Sequence, residues 1–239
     1  MTALKPMIKY FGSKYRSTPH YPEPQYSTII EPFAGGAGYS LHYWNRQIIL
    51  NDLDPGVASM WQWLISADPL EILDLPVKFY DLDAECPNLI PEASLFIKHW
   101  MKVGTPGGKR SKFHIKQTTG CTWDSSIRLR TASQLKYIRH WRVTNLSYEE
   151  LDNQEATWFI DPPYQHIGGY RYKTIDFNHL AQWCQSRYGQ VMVCEQQGAD
   201  WLPFEYLGTV AGTGNGGGIG GRPKTSIEVL WTNTLVPTP

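Results

Sequence analysis

STIIEPFAGGAG (Ser27–Gly38), followed by QIILND (Gln47–Asp52), decides how this chain folds. The stretch Ser27–Phe33 reads as a short buried strand that runs into a glycine turn. The apolar residues Tyr39–Trp44 suit a helix, and Gln47–Leu50 is a second strand ending in Asn51-Asp52. Pro55 then stands where a proline opens a helix, carrying it through Trp61 and Leu64 to Ile65. Strand, helix, strand and helix at this spacing begin a wound, mostly parallel sheet.

Working outward, Asp68–Asp74 reads as a short capped helix and Pro91–Val103 as a longer one. Gly104–Thr122 shows no periodicity. A helix is expected over Thr131–Trp141, capped by Thr131 or Ser133, and a strand over Val143–Ser147. Ala156–Ile160 is a strand that must stop at Pro162-Pro163, because proline cannot continue a ladder. Asp176 caps a helix with Phe177, Leu180, Ala181 and Cys184 on one face, and Gln190–Cys194 is another buried strand. Glu205–Val210 and Ser226–Trp231 form a closing hairpin around the glycine-rich stretch 212–221, which reads as a flexible connection beside Arg222 and Lys224. The expected class is α/β, a parallel sheet with an antiparallel end and no internal repeat. At 239 residues it suits one domain with a modest insertion.

Lysine plus arginine equal aspartate plus glutamate at 22 each, yet the charges are segregated. Between Lys98 and Arg142 stand Lys102, Lys109, Arg110, Lys112, Lys116, Arg128, Arg130, Lys136 and Arg139, opposed by Asp124 alone. The preceding stretch is acidic, from Asp68 to Glu92. A basic run interleaved with Phe113, His114 and Trp123 suits phosphate contacts with stacking, whereas Tyr137 and Trp141 read as core packing. Arg128 and Arg130, two apart, are expected to project from one face of an extended segment toward a base edge. No run approaches the ~18 apolar residues of a membrane span, and MTALKPMIKYFGSKYR has no apolar signal core, so a soluble chain with nothing directing export is expected. Cys86, Cys121, Cys184 and Cys194 are scattered and lack zinc spacing, which points to reduced thiols and no metal.

The glycine turn leaves a strand at the carboxyl edge of the sheet, where a cofactor crevice forms, and a following helix N-terminus would offer free N–H groups. Asp52, at the next strand end, can accept both hydroxyls of a ribose; Asp54 competes for that role but equally suits capping the helix at Pro55. Asp161-Pro162-Pro163-Tyr164 is the most specific feature in the chain. An exocyclic amine on a base is a poor nucleophile because its lone pair is delocalised. The Asp161 carboxylate and the Pro162 carbonyl can accept its two hydrogens and localise that pair. Proline rigidity holds the acceptors, and Tyr164 offers a face on which an extruded base can stack.

Tyr10-Phe11-Gly12-Ser13-Lys14, Glu31–Gly38, Asn51-Asp52 and Asp161–Tyr164, in that order, resemble the Dam-like DNA adenine N6-methyltransferases. The resemblance runs from Ile8 to Trp231. It implies a seven-stranded Rossmann-like sheet that binds S-adenosylmethionine, a catalytic domain from residues 1–75 and 143–239, and an inserted target-recognition region at 76–142. It places Tyr10, Lys14, Pro32, Phe33, Gly35, Gly36, Gly38, Asp52 and Asp161 at the cofactor, with Asp161, Pro162 and Tyr164 catalytic. Double-stranded DNA is the implied partner, held by Lys109, Arg110, Lys112, Lys116, Arg128 and Arg130, and the implied location is cytoplasmic, in a bacterial or phage-infected cell. Without the resemblance Lys14 reads as an exposed turn lysine. The chain departs from the family in having one residue more between Phe33 and the last glycine, and Tyr10 where many relatives have tryptophan. Two alternatives share the fold, an N4-cytosine methyltransferase and a catalytically silent DNA-binding protein. Cytosine C5 methylation is disfavoured because no Pro-Cys pair is present.

Overall fold

A computed structural model describes residues 2–79, 82–101, 123–166, 175–211 and 225–234. Its strands are β1 (Thr28–Glu31), β2 (Gln47–Asn51), β3 (Arg142–Thr144), β4 (Ala156–Ile160), β5 (Gly189–Gln196), β6 (Glu205–Ala211) and β7 (Thr225–Thr232). They form one sheet in the order β3-β2-β1-β4-β5-β7-β6. The first five are parallel, and β7 runs antiparallel to both β5 and β6. This is an α/β fold with a mostly parallel seven-stranded sheet, compatible with a Rossmann-like fold.

Both faces of the sheet are covered, as parallel strands require. Alternation along each strand sends Ile29, Phe159, Met192 and Cys194 to one core. Ile30, Trp158, Ile160, Val191 and Val193 go to the other. The first core also takes in α1 (Pro55–Ser66) through Trp61 and Leu64, and α4 (Pro91–Met101) through Phe96 and Ile97. It continues through Trp123, Ile127 and Leu135, so the described part of 76–142 shares a core with the sheet. The second core is closed by α6 (Phe177–Gln185), which starts where Asp176 accepts from the N–H groups of Asn178 and His179.

Several boundaries follow the caps. Asp54 caps α1 by accepting from Gly56 N, and Asp68 forms a reciprocal capping box with Glu71 at α2 (Pro69–Leu73). A short α3 spans Leu82–Glu85. Two expectations fail. Tyr39–Trp44 is a succession of turns, because Ala37 takes φ +50° and Ser40 N donates to Glu31 Oε1 at 2.7 Å instead of into a helix. The expected helix at Thr131–Trp141 is displaced. Asp124 caps α5 (Ser125–Gln134) by accepting from Ile127 N at 2.9 Å, and a single 3₁₀ turn, Leu135–Tyr137, follows.

Candidate active site

β1 lies between β2 and β4, and the loops leaving β1 and β4 diverge, which opens a crevice at their carboxyl ends. A cleft of about 600 Å³ fills it. Tyr10, Lys14, Pro32, Phe33, Gly35, Gly36, Gly38, Asp52, Asp161 and Pro162 all line this cleft, although they come from four separate parts of the chain.

Gly35 adopts φ +45°, and a Cβ there would meet the Tyr10 ring at 2.8 Å, so the turn and the N-terminal segment fit only without a side chain. Tyr10 is in turn stacked on His99 of α4, with ring centroids 5.7 Å apart. Asp52 accepts from Gly35 N and Asp54 N, both at 2.9 Å. Asp52 is therefore the carboxylate that faces the turn, while Asp54 caps α1. Burial pushes the Asp52 carboxyl up to about 6 in spite of these two bonds. Asn51 clasps three strand ends: its amide donates to Pro32 O and Leu146 O at 3.0 Å, and its oxygen accepts from Thr144 Oγ1 and Leu146 N.

Lys14 is buried, not the exposed turn lysine its neighbours suggest. Its ammonium lies 2.9 Å from Asp161 Oδ1, donates to Gly12 O at 2.9 Å and sits 4.0 Å from Glu228 Oε2. Burial opposes the Lys14 charge, but Asp161 and then Glu228 outweigh it and raise its proton affinity. Burial pushes the Asp161 carboxyl up to about 6; Lys14 pulls against this, while Glu228 and Glu195 add to it. Glu31, at the end of β1, is 2 % exposed and is pushed up to about 8 by burial.

Tyr164 does not line the cleft. It is 6 % exposed, its ring lies 4.6 Å under the Lys14 ammonium, and its hydroxyl donates to Glu228 Oε2 at 2.6 Å. In this structure the ring is packed and does not offer a free stacking face. On the opposite rim stand Phe33, Tyr148 and His179; the Tyr148 hydroxyl and His179 Nδ1 are 2.9 Å apart.

The basic segment divides. Lys109, Arg110, Lys112 and Lys116 lie outside the described residues, as do Phe113, His114, the glycine-rich stretch 212–221, Arg222 and Lys224. Arg128 and Arg130 are on helix α5, not on an extended strand, and both point inward. Arg128 donates to Leu73 O and Leu75 O at 2.5 Å, where α2 ends, and Arg130 donates to Pro6 O at 3.1 Å while covering the Trp100 ring. Arg139 likewise donates to Ile65 O and Ala67 O where α1 ends. Arg128 and Arg139 thus satisfy carbonyls at helix C-termini and complement their dipoles, whereas Arg130 ties down the N-terminal segment. They are not presented to a duplex. Trp141 is core, 3 % exposed, and Tyr137 packs on Trp44.

Glu31, Asn51, Glu228, Tyr148 and His179 received no role from the sequence. Glu228 carried a signal, since it is the single charge in the apolar strand TSIEVLW (Thr225–Trp231). Among the described residues no group of three or more His, Cys, Asp or Glu is placed to hold a metal. Cys86, Cys184 and Cys194 are free thiols, and Cys121 lies outside the described residues. No described helix is long and apolar enough to cross a membrane. No protein-family model matches this chain, and no curated protein matches it.

Proposed function

We propose that this chain transfers a methyl group from S-adenosylmethionine to the N6 amino group of adenine in double-stranded DNA, as its motifs' resemblance to the Dam-like enzymes implies. The observation that carries the proposal is the sign of the cleft. Asp52, Asp54, Glu149, Asp161 and Asp176 line it, against one lysine. A glycine turn after β1 ordinarily offers its N–H groups to phosphate. Here Gly35 N–H is taken by Asp52 and Ser40 N–H by Glu31, so a diphosphate would meet carboxylates. A nucleoside with a cationic end suits these walls better.

The residues present fit such a cofactor. Asp52 keeps acceptor capacity beyond its two backbone bonds and suits ribose hydroxyls. Phe33, Leu53 and Leu146 give apolar walls for a flat base, and Asp161 suits the cationic end. The cofactor, when bound, supplies an electrophilic methyl group on a sulfonium. Asp161 and the Pro162 carbonyl stand at the end of β4, where they can accept the hydrogens of an incoming amine. Lys14 holds Asp161 ionised and oriented at neutral pH, since its carboxyl titrates near 6. Positioning by rigid strand ends then supplies much of the rate. Lys109, Arg110, Lys112 and Lys116 remain the proposed phosphate contacts, and Arg128 and Arg130 are withdrawn from that role.

The test is incubation of the purified protein with methyl-labelled S-adenosylmethionine and unmethylated duplex DNA, followed by nucleoside mass spectrometry. N6-methyladenine is the expected product. N4-methylcytosine would move the substrate, and tight cofactor binding with no labelled base would sink the enzymatic reading in favour of a silent DNA-binding protein.

A further inference from the structure

We infer that Glu228 on β7 is a positioning residue for the Asp161 carboxylate, anchoring Tyr164 through its hydroxyl and sharing the Lys14 ammonium with Asp161. What Asp161 does chemically rests on the proposed methyl transfer; the coupling itself does not.

β7 pairs with β5 antiparallel, with Glu228 opposite Gln196 and Leu230 opposite Cys194. Side-chain alternation puts Glu228 on the face of Leu230, which belongs to the core that contains Met192 and Cys194. A carboxylate 7 % exposed on such a face is expensive unless its oxygens are engaged. Glu228 Oε2 accepts from Tyr164 at 2.6 Å and lies 4.0 Å from Lys14 Nζ. Lys14 in turn holds Asp161 at 2.9 Å and rests over the Tyr164 ring at 4.6 Å. Four groups from three chain segments thus close a ring in which one cation serves two carboxylates.

The ring has two consequences. Tyr164 is held at both ends, by its chain link to Asp161-Pro162-Pro163 and by its hydroxyl on β7, so the catalytic turn is fastened to an antiparallel strand inside the sheet. Glu228 also leaves the cluster with excess negative charge. The groups that bear on Asp161 are Lys14 from the N-terminal segment, Glu228 from β7, Glu195 and Cys194 from β5, Glu31 from β1, and Tyr164 and Tyr21. Lys14 alone among them favours the ionised carboxylate, and Glu228 is the first of its opponents after burial.

The variants separate charge from anchoring. Glu228→Gln keeps an acceptor for the Tyr164 hydroxyl but removes the charge. Tyr164→Phe keeps the charge but removes the anchor, and Glu228→Leu removes both. Each is made in the full chain and its melting checked. Asp161 is followed by carboxyl ¹³C NMR against pH, with Asp161→Asn assigning the signal, and methyl transfer is measured in parallel. Glu228→Gln should raise the acid dissociation constant of Asp161 on the order of tenfold and move the acidic limb of kcat to lower pH. Tyr164→Phe should leave that constant within about twofold of the native one. Tyr164→Phe and Glu228→Leu should lower plateau kcat by ~10–100-fold with little change in the cofactor KM. An unmoved Asp161 titration in Glu228→Gln, or a native kcat in both unanchored variants, overturns the inference. A moved titration in a protein that transfers no methyl group overturns the proposed function and leaves the coupling standing.

Discussion

Gly38→Ala is expected to damage the site from behind. A Cβ at Gly38 would stand 2.5 Å from Tyr15 N and 2.9 Å from both Lys14 N and Lys14 C. Ordinary contact begins at 3.4 Å, so the Lys14–Tyr15 backbone must retreat by about 0.9 Å, the difference between 3.4 and 2.5. That backbone is not free to do so. Thr18 Oγ1 ties it in place, with its one hydrogen shared between Lys14 O at 2.9 Å and Gly38 O at 3.3 Å, and Ser17 N also donates to Lys14 O at 3.0 Å. Overpacking of this kind costs ~1–3 kcal/mol. A middle value of ~2 kcal/mol lowers the melting temperature of a chain this size by roughly 4–8 °C. The same retreat draws the ammonium away from Asp161, now 2.9 Å distant. Thermal unfolding followed by circular dichroism reads the effect, with Gly208→Ala as control, since nothing lies within 4 Å of a Cβ there. A Gly38→Ala protein that melts within about 1 °C of the native one would refute the close packing of the lysine segment on the glycine turn.

Glu31 makes stability depend on pH. Its carboxyl is raised from 4.5 to about 8, so its stabilising protonated state is intact below pH 4.5 and is lost as pH rises through 8. Over that window the loss approaches ~1.4 kcal/mol per pH unit, and Glu31→Gln, which removes the ionisation, should gain on the native protein as pH rises in urea titrations. A native-minus-variant difference that stays flat from pH 5 to about 8.5 contradicts this. Arg128→Ala should destabilise the fold by ~1.5–3 kcal/mol through two lost carbonyl bonds. It should leave the salt dependence of DNA binding unchanged below its melting range; a shallower slope would return Arg128 to the phosphates. Asp161→Ala should abolish methyl transfer while retaining most DNA affinity, and a parallel loss of both would count against its assigned role.

The strand ends were legible in the sequence because punctuation marks them. Glycine after β1, Asn51-Asp52 after β2 and two prolines after β4 each stop a ladder, and α/β winding brings such ends to one edge. Ala156–Ile160 and the Asp176 cap are observed at the residues read for them. The turn at Tyr39 was not legible because its cause is distant. Glu31, nine residues earlier, takes the Ser40 N–H. Nor was α5: Arg128-Leu129-Arg130 alternates like a strand, and only the Asp124 cap with the burial of Ile127 and Thr131 four apart shows the helix. Long arginines in that segment reach carbonyls more than fifty residues away in the chain, at Leu73, Leu75 and Pro6. Local charge pattern cannot carry that information.

Tyr164 bears most directly on how the Asp-Pro-Pro-Tyr turn would serve the proposed methyl transfer. Beside an Asp-Pro-Pro sequence an aromatic residue reads as a surface for a base. In the fold its ring carries Lys14 on one face and its hydroxyl holds Glu228. A base stacked where Lys14 now rests would have to displace the cation that holds Asp161 ionised. Under the proposed methyl transfer the two demands conflict, because the amine would need an ionised acceptor at the moment its base arrives. The conflict disappears if the base enters from the cleft side, past Pro162 and Pro163, both of which line it. Tyr164 would then serve as the fixed support of the acceptor, and stacking would fall to another ring that lines the cleft, such as Tyr10, one face of which rests on His99. On this view Tyr10→Ala weakens retention of an extruded base while leaving the Asp161 titration unmoved. Fluorescence of a 2-aminopurine target in duplex DNA measures that retention, and an Asp161 titration that moved with it would tie Tyr10 to the lysine instead of the base.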